Sequence, residues 1–119
     1  IMTREIIVGK PNDDIKSVAK ILIAKGVDHL PIVDNEGKLI GIITSWDLAK
    51  AVAHDKRQLH EIMTSRVITA KEDEAIDTVI RRMEQHNISG LPIVDQSNHI
   101  IGILTTDDIS RKLFRRVIA

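Results

Sequence analysis

The pentapeptide LPIVD stands at residues 30–34 and again, 61 residues later, at residues 91–95. The resemblance continues on both sides at this offset without a gap. The triplet IMT at residues 1–3 recurs at residues 62–64, and Gly41, Thr44 and Asp47 correspond to Gly102, Thr105 and Asp108. Since chance repetition would not keep one spacing over so many positions, the chain is a tandem duplication.

The apolar pattern of the first half predicts a strand, a helix, two strands and a second helix. Residues 5–8 (EIIV) form a short apolar run typical of a strand, and turn residues follow it. Helical spacing then appears at Ile15, Val18, Ala19, Leu22 and Ile23. Asp13 or Asp14 is the expected N-cap, and Gly26 follows the expected end. The runs LPIV and KLIGII flank the turn DNEG as two strands, and TSWDLAKAVAHD is helical.

The second half repeats this order. We expect a strand at residues 67–69, a helix carrying Ile76, Val79, Ile80 and Met83, and strands at LPIV and HIIGIL. Ile109, Leu113 and Val117 mark its final helix. The repeats are predicted at residues 1–58 and 59–119, joined without a flexible Gly/Ser tract, so we expect one compact α+β module.

Composition narrows the class of protein. Of 119 residues, 43% are hydrophobic and 29% charged, which is typical of a soluble globular chain. Seventeen basic residues balance seventeen acidic ones, so neither nucleic acid nor membrane is favoured as a partner. The lack of cysteine excludes disulfides and thiolate sites and fits a cytoplasmic location. Ile1 in place of a starting methionine suggests a segment of a longer protein, with an attached effector domain.

Several segments together resemble the tandem cystathionine-β-synthase (CBS) domain pair, or Bateman module. They are the doubled IMT, the strands VDHLPIVD and ISGLPIVD, and the closing motifs GIITSWD and GILTTDD, and they cover essentially the whole chain. The resemblance implies two repeats packed about a pseudo-twofold axis, with two clefts between them that bind adenosyl compounds. AMP, ADP, ATP, S-adenosylmethionine and methylthioadenosine are the expected effectors. It also implies a homodimer.

Two Thr-x-x-Asp pairs are the strongest site candidates: Thr44 with Asp47, and Thr105 with Asp108. At the start of a helix this spacing is typical of a capping box, which alone would explain both pairs. A carboxylate there can also accept hydrogen bonds from the two hydroxyls of a ribose. The resemblance implies that this aspartate holds the ribose, and the two roles can coexist.

An adenine base needs a flat apolar slot and backbone groups that bind its edge. The candidates for this slot are Ile7, Leu30, Ile42, Ile68, Gly90, Leu91, Pro92 and Ile103. For most of them a core position is the simpler explanation. Asp28 and His29 stand where the second half has Ser89 and Gly90, so we expect unequal clefts. Arg4 and Arg66 are candidates for contact with a phosphate or another 5′ group.

Catalytic motifs do not appear in the sequence. The five histidines have no metal-ligand spacing, and there is neither a GxxxxGK[ST] loop nor a GxSxG turn. We therefore expect no metal site and no enzyme activity. The predicted function is a regulatory module that binds an adenosyl ligand and passes a rearrangement to a partner or attached domain. The alternative is a purely architectural module that dimerises or docks and binds no metabolite.

Overall fold

The computed structural model describes residues 6–110, and these divide into two compact units. The first unit is residues 7–67, and residues 68–110 belong to the second. The first contains α1 (Ile15–Lys25), β1 (His29–Val33), β2 (Leu39–Thr44), α2 (Ser45–Ala53) and a 3₁₀ turn (Leu59–Glu61). The second contains β3 (Ala70–Lys71), α3 (Ile76–His86), β4 (Gly90–Val94) and β5 (Ile100–Thr105), followed by helical residues 106–110.

The two hairpins have the same register. In the first unit β1 pairs antiparallel with β2, and in the second β4 pairs antiparallel with β5. Each hairpin has an irregularity at the same place, after Ile32 in β1 and after Ile93 in β4. The helices α1 and α3 are also displaced by the repeat offset of 61 residues. The predicted α+β repeat is therefore confirmed.

The first strand of each repeat was predicted wrongly. Residues 6–8 are not a strand, and residue 5 lies outside the described residues; the pairing is instead a single parallel bridge from Gly9 to Ile32. In the second unit residues 67–69 are not a strand, and β3 begins at Ala70 and pairs parallel with β4. The apolar runs pack inward through Ile7 and Ile68, while the ladder forms just after them. A short apolar run does not distinguish these two uses.

The helix ends follow the sequence signals in the first repeat. The carboxylate of Asp14 accepts a hydrogen bond from the backbone N–H of Ser17 at 3.0 Å, which confirms it as the N-cap of α1. Gly26 ends this helix in the left-handed conformation with φ of 67°. In the second repeat Ala75 is the N-cap of α3 and has no side-chain cap, and Asn87 ends the helix with φ of 52°.

Each unit has its own hydrophobic core. The first is built from α1, the β1–β2 hairpin and α2, and its buried residues are Ile15, Val18, Leu22, Leu30, Ile32, Ile43, Leu48, Ala51 and Leu59. Among the described residues, the second contains Ala70, Val79, Met83, Leu91, Ile93 and Leu104. Ile109 packs against this core from the final helix, whereas Leu113 and Val117 lie outside the described residues.

The segment that follows α2 packs onto the first unit. Leu59 is 0% exposed within the first core, and the backbone of Thr64 exchanges hydrogen bonds with Ile42 of β2. Met63 lies directly over Gly41, where an added Cβ would stand 2.6 Å from the Met63 sulfur. The repeat boundary at 58/59 stays a prediction, because it rests on sequence correspondence and not on packing.

A partly exposed ion pair stabilises the second unit in place of the missing cap. Arg82 on α3 binds Glu74 through two hydrogen bonds of 2.6 and 3.1 Å and also donates to the carbonyl of Thr69 at 2.8 Å. The Glu74 carboxylate accepts the backbone N–H of Lys71 as well. These contacts, with the guanidinium of Arg82 first, lower the pKa of Glu74 to about 2.

Candidate functional site

The first Thr–Asp pair lies where β2 runs into α2, and it forms a complete capping box. Asp47 Oδ2 accepts the backbone N–H of Thr44 at 2.9 Å and its hydroxyl at 3.1 Å, while Thr44 Oγ1 accepts the backbone N–H of Asp47 at 3.4 Å. Both side chains are half-buried. The capping role is thus present, and it fixes the Asp47 carboxylate beside the helix start.

The second Thr–Asp pair repeats this geometry where β5 runs into the helical residues 106–110. Asp108 Oδ2 accepts the backbone N–H of Thr105 at 3.2 Å, and Thr105 Oγ1 accepts the backbone N–H of Asp108 at 3.1 Å. Both side chains are again half-buried. A carboxylate can accept about four hydrogen bonds, so capping through Oδ2 does not exhaust either aspartate. The same residues can therefore cap the helix and bind a diol.

A neighbouring contact at the first pair was not anticipated from the sequence. Asp28, just before β1, accepts a hydrogen bond from the Ser45 hydroxyl at 3.0 Å, and its carbonyl accepts the Ser45 backbone N–H, also at 3.0 Å. The second unit has the corresponding backbone hydrogen bond, in which the Ser89 carbonyl accepts the Thr106 N–H at 2.9 Å. Asp28 corresponds to Ser89 across the repeat, so the second unit has no carboxylate at this position.

Two other side chains near the first pair have simple environments. Lys50 lies 3.4 Å from Asp47 Oδ1, one helical turn later, as expected for an ordinary surface ion pair. Trp46, at the start of α2, is 70% exposed. Its ring is an exposed apolar surface beside the first Thr–Asp pair.

Most residues proposed for the adenine slot are packed in the cores. Leu30 and Leu91 are 1% and 0% exposed, and the side chains of Pro31 and Pro92 are also fully buried. Ile103 is buried, Gly90 is buried, and Ile7, Ile42 and Ile68 are half-buried. The slot assignment for these residues stays a prediction, and the leucine side chains have the core role that was the simpler alternative.

The candidates for contact with the 5′ group are less defined. Arg66 is exposed in the bend between the 3₁₀ turn and β3, and Arg4 lies outside the described residues. Among residues 6–110 there is no cluster of three His, Asp or Glu side chains that could hold a metal ion. Within the same range, no helix has both the length and the apolar character needed to cross a membrane.

His29 lies beside the first Thr–Asp pair, and its environment shifts its pKa. Burial of the imidazole lowers the pKa of His29, and the nearby Asp28 carboxylate acts in the opposite direction. The net lowering leaves the ring predominantly neutral at pH 7. It therefore contributes bulk more than charge to the surface beside Thr44.

The comparison with known protein families agrees with the doubled architecture. The model of the CBS domain matches twice, at residues 1–54 and 59–115. The chain belongs to the CBS domain family. The two matches contain one Thr–Asp pair each, and together they cover almost the whole chain. The CBS pair expected from the sequence is thereby confirmed.

The chain is similar to segments of longer archaeal proteins. It is 52% identical over 111 residues to L-aspartate semialdehyde sulfurtransferase of Methanocaldococcus jannaschii, covering 93% of this chain and 22% of that protein. It is 42% identical over 115 residues to homoserine O-acetyltransferase of Methanosphaerula palustris, covering 97% of this chain and 24% of that protein. The chain thus spans about a quarter of these relatives, whose activities are named for the full-length proteins.

A solved CBS pair gives the most direct information on ligands. The CBS domain pair of protein MJ0100, in complex with 5′-methylthioadenosine and S-adenosyl-L-methionine, is 50% identical to this chain. The alignment covers 98% of this chain and 94% of that one, with a TM-score of 0.91. A protein of the same fold and half the same sequence therefore binds two adenosyl compounds.

Proposed function

We propose that this CBS pair is a regulatory module that binds S-adenosylmethionine or methylthioadenosine at a Thr–Asp pair of at least one repeat. The observation that carries the proposal is the 50% identical CBS pair in complex with both compounds. The two capping boxes support it, since each fixes a half-buried carboxylate at the start of a helix. AMP, ADP and ATP share the adenosine part and are the next candidates.

The aspartates would recognise the ribose. The 2′ and 3′ hydroxyls of a ribose are adjacent donors, and a carboxylate offers two oxygens at a matching separation. Because Oδ2 is already held by the threonine backbone N–H in each repeat, the carboxylate is oriented before the ligand arrives. Orientation in advance lowers the conformational entropy lost on binding.

Regulation requires more than binding. A ligand shifts a conformational equilibrium only by its difference in affinity for the two states. The rearrangement and its transfer to an attached domain are parts of this proposal. The longer relatives support an attached domain, because the matched segment is about a quarter of each of them.

The first experiment is isothermal titration calorimetry with S-adenosylmethionine, methylthioadenosine, AMP, ATP and, as a control, GTP. We expect binding of adenosyl compounds and none of GTP. At least one of Asp108→Ala and Asp47→Ala should weaken binding, and the two changes combined should abolish it. Asp14→Ala is the matched control, because it also removes a helix-capping carboxylate, but one that lies at the start of α1. Equal loss of binding in all three variants would assign the effect to stability and contradict ribose recognition.

The charge of the 5′ group can be tested through Arg66, which is exposed. A guanidinium favours an anionic phosphate and disfavours the sulfonium of S-adenosylmethionine. If Arg66 contacts the 5′ group, Arg66→Ala should weaken ATP relative to S-adenosylmethionine. An unchanged ratio of the two affinities would remove Arg66 from the site.

A second candidate function, self-association, is favoured by the outer face of α1 and α2. Between these helices lies an open groove of about 1030 Å³, and its apolar lining includes Ile23 and Val52, which are 81% and 79% exposed. Such exposed apolar residues are typical of an interaction surface. Sedimentation should detect a homodimer that Ile23→Glu disrupts. A monomer at all concentrations, with no adenosyl binding, would contradict both candidates.

A further inference from the structure

The two repeats differ at the residue directly opposite the site threonine. In the first hairpin His29 pairs with Thr44, and in the second Gly90 pairs with Thr105. Directly opposed residues of antiparallel strands carry their side chains on the same face, with Cβ atoms about 4.5–5.5 Å apart. Residue 29 or 90 is therefore the immediate neighbour of the threonine that fixes the site aspartate.

This face lies opposite the one that carries the core leucines in each repeat, and Pro31 and Pro92, which share it, are also buried. The next residues along the two strands, Leu30 and Leu91, are 1% and 0% exposed, and their partners Ile43 and Leu104 are equally buried. Because side chains alternate along a strand, His29 and Thr44 lie together on the opposite face. At the corresponding place in the second repeat, Gly90 presents only a hydrogen beside Thr105.

The imidazole of His29 therefore occupies space beside the first Thr–Asp pair. Gly90 has no side chain to fill the corresponding space in the second repeat. The His29 side chain is half-buried, and Asp28 immediately before it is tied to Ser45 by two hydrogen bonds. The first repeat thus has a filled surface beside Thr44, bordered by an additional carboxylate. The second repeat has Ser89 in place of that carboxylate.

We infer that residue 29/90 decides which repeat accepts the adenosyl ligand: Gly90 admits it beside Thr105 and Asp108, and His29 excludes it beside Thr44 and Asp47. The inference rests on the proposed function and assigns it to the second repeat. A purine ring is flat and needs close approach to the backbone, which a glycine allows and a histidine side chain prevents. The selection is steric, since the His29 ring is predominantly neutral at pH 7.

The test is the number of ligands bound per chain, measured by isothermal titration calorimetry with S-adenosylmethionine and with methylthioadenosine. The unmodified chain should bind one, and Asp108→Ala should bind none. His29→Gly should bind two, and the double variant His29→Gly with Asp108→Ala should bind one, now in the first repeat. His29→Gln keeps most of the side-chain volume and should retain a single ligand.

Separate control experiments test whether each variant folds. His29→Ala also removes the ring, but it avoids the conformational entropy that glycine adds to a strand, and it should likewise raise the stoichiometry. Circular dichroism and thermal unfolding verify that each variant is folded before titration. The reciprocal variant Gly90→His should lose the ligand while keeping its secondary structure.

Three results would overturn the inference without touching the proposed function. They are two ligands on the unmodified chain, a single ligand that survives Asp108→Ala, or a stoichiometry of one in both His29→Gly and His29→Ala. Failure of every variant to bind any adenosyl compound would instead overturn the proposed function itself. The two failures are therefore distinguishable in one series of titrations.

Discussion

The two repeats have the same backbone plan, but they stabilise it with different side chains. In the first, a carboxylate caps α1 and a glycine ends it; in the second, α3 has no side-chain cap and ends at Asn87. The second repeat has the Glu74–Arg82 pair, and where Arg82 stands the first repeat has Ile21. Duplication has thus kept the positions of the elements while the contacts that hold them have diverged. Each difference can be tested by exchanging the residues.

The largest expected effect concerns Leu59, which lies in the first core but belongs to the 3₁₀ turn that follows α2. Leu59→Ala should lower the free energy of unfolding by about 2–5 kcal/mol, because a fully buried leucine leaves a cavity. Denaturant unfolding measures this. Ile21→Ala is the control, since Ile21 is 46% exposed and its loss should cost less than about 1 kcal/mol. Equal effects for the two variants would show that Leu59 is not a core residue.

The next effect is the pH dependence of the Glu74–Arg82 pair. The pKa of Glu74 in the folded chain is about 2, below its ordinary value of 4.5, so its contribution to stability is present above pH 4.5 and is lost as the pH falls towards 2. Glu74→Gln should remove this dependence and cost about 1–2 kcal/mol at pH 7, a value reduced for solvent screening of a partly exposed pair.

The matched control for this pair comes from the first repeat. Asp13 also binds the backbone N–H of the lysine three residues before it, but Ile21 replaces the arginine. Asp13→Asn should therefore change stability much less than Glu74→Gln. Unfolding curves between pH 3 and pH 7 compare the two. A parallel pH profile for Glu74→Gln and the unmodified chain would contradict the assignment.

A smaller effect is expected when the helix caps are exchanged. Asp14→Ala should lower the stability by about 1 kcal/mol, because the N–H of Ser17 loses its acceptor. Ala75 has a nearly identical extended backbone conformation, so Ala75→Asp should add a few tenths to about 1 kcal/mol. Both are measured by thermal unfolding. A stabilised Asp14→Ala variant would refute the capping role.

The smallest single effect is expected at Asn87, the left-handed end of α3, for which Gly26 at the end of α1 is the comparison. Gly26→Ala should cost about 1 kcal/mol through backbone strain alone, since the position of an added Cβ has no atom within 4 Å. Asn87→Gly should stay within about 0.5 kcal/mol of the unmodified chain, because asparagine already tolerates this conformation. If Asn87→Gly raised the free energy of unfolding by more than Gly26→Ala lowered it, the expected order of the two effects would be wrong.

Much of the fold was predictable because its signals are local. The spacing of Ile15, Val18 and Leu22 located α1, and Asp14 and Gly26 marked its ends. The first strands were not, because their pairing with β1 and β4 depends on partners about 23 residues away in the chain. The core role of Leu59 was also missed, since one leucine in a charged segment has no periodicity to reveal it.

The helix caps of the candidate site were predictable from the sequence, and unequal surroundings of the two Thr–Asp pairs were expected, but the geometry of that difference was not. Thr-x-x-Asp before a helix identified both capping boxes from the sequence, because capping requires this spacing. The sequence alone showed that His29 in the first repeat is replaced by Gly90 in the second. The structural consequence depends on strand register, which places His29 opposite Thr44 and Gly90 opposite Thr105.

The contact between Gly41 and Met63 limits how this chain can evolve. A Cβ at residue 41 would stand 2.6 Å from the Met63 sulfur, so any other amino acid there requires Met63 to move. The Met63 Cβ would stand 3.2 Å away as well, and the backbone of the adjacent Thr64 is bound to Ile42, so turning the thioether aside does not relieve the whole contact. A smaller side chain at residue 63 would therefore make substitutions at residue 41 less costly. The order in which mutations arise at these two positions thus affects the stability of the intermediate.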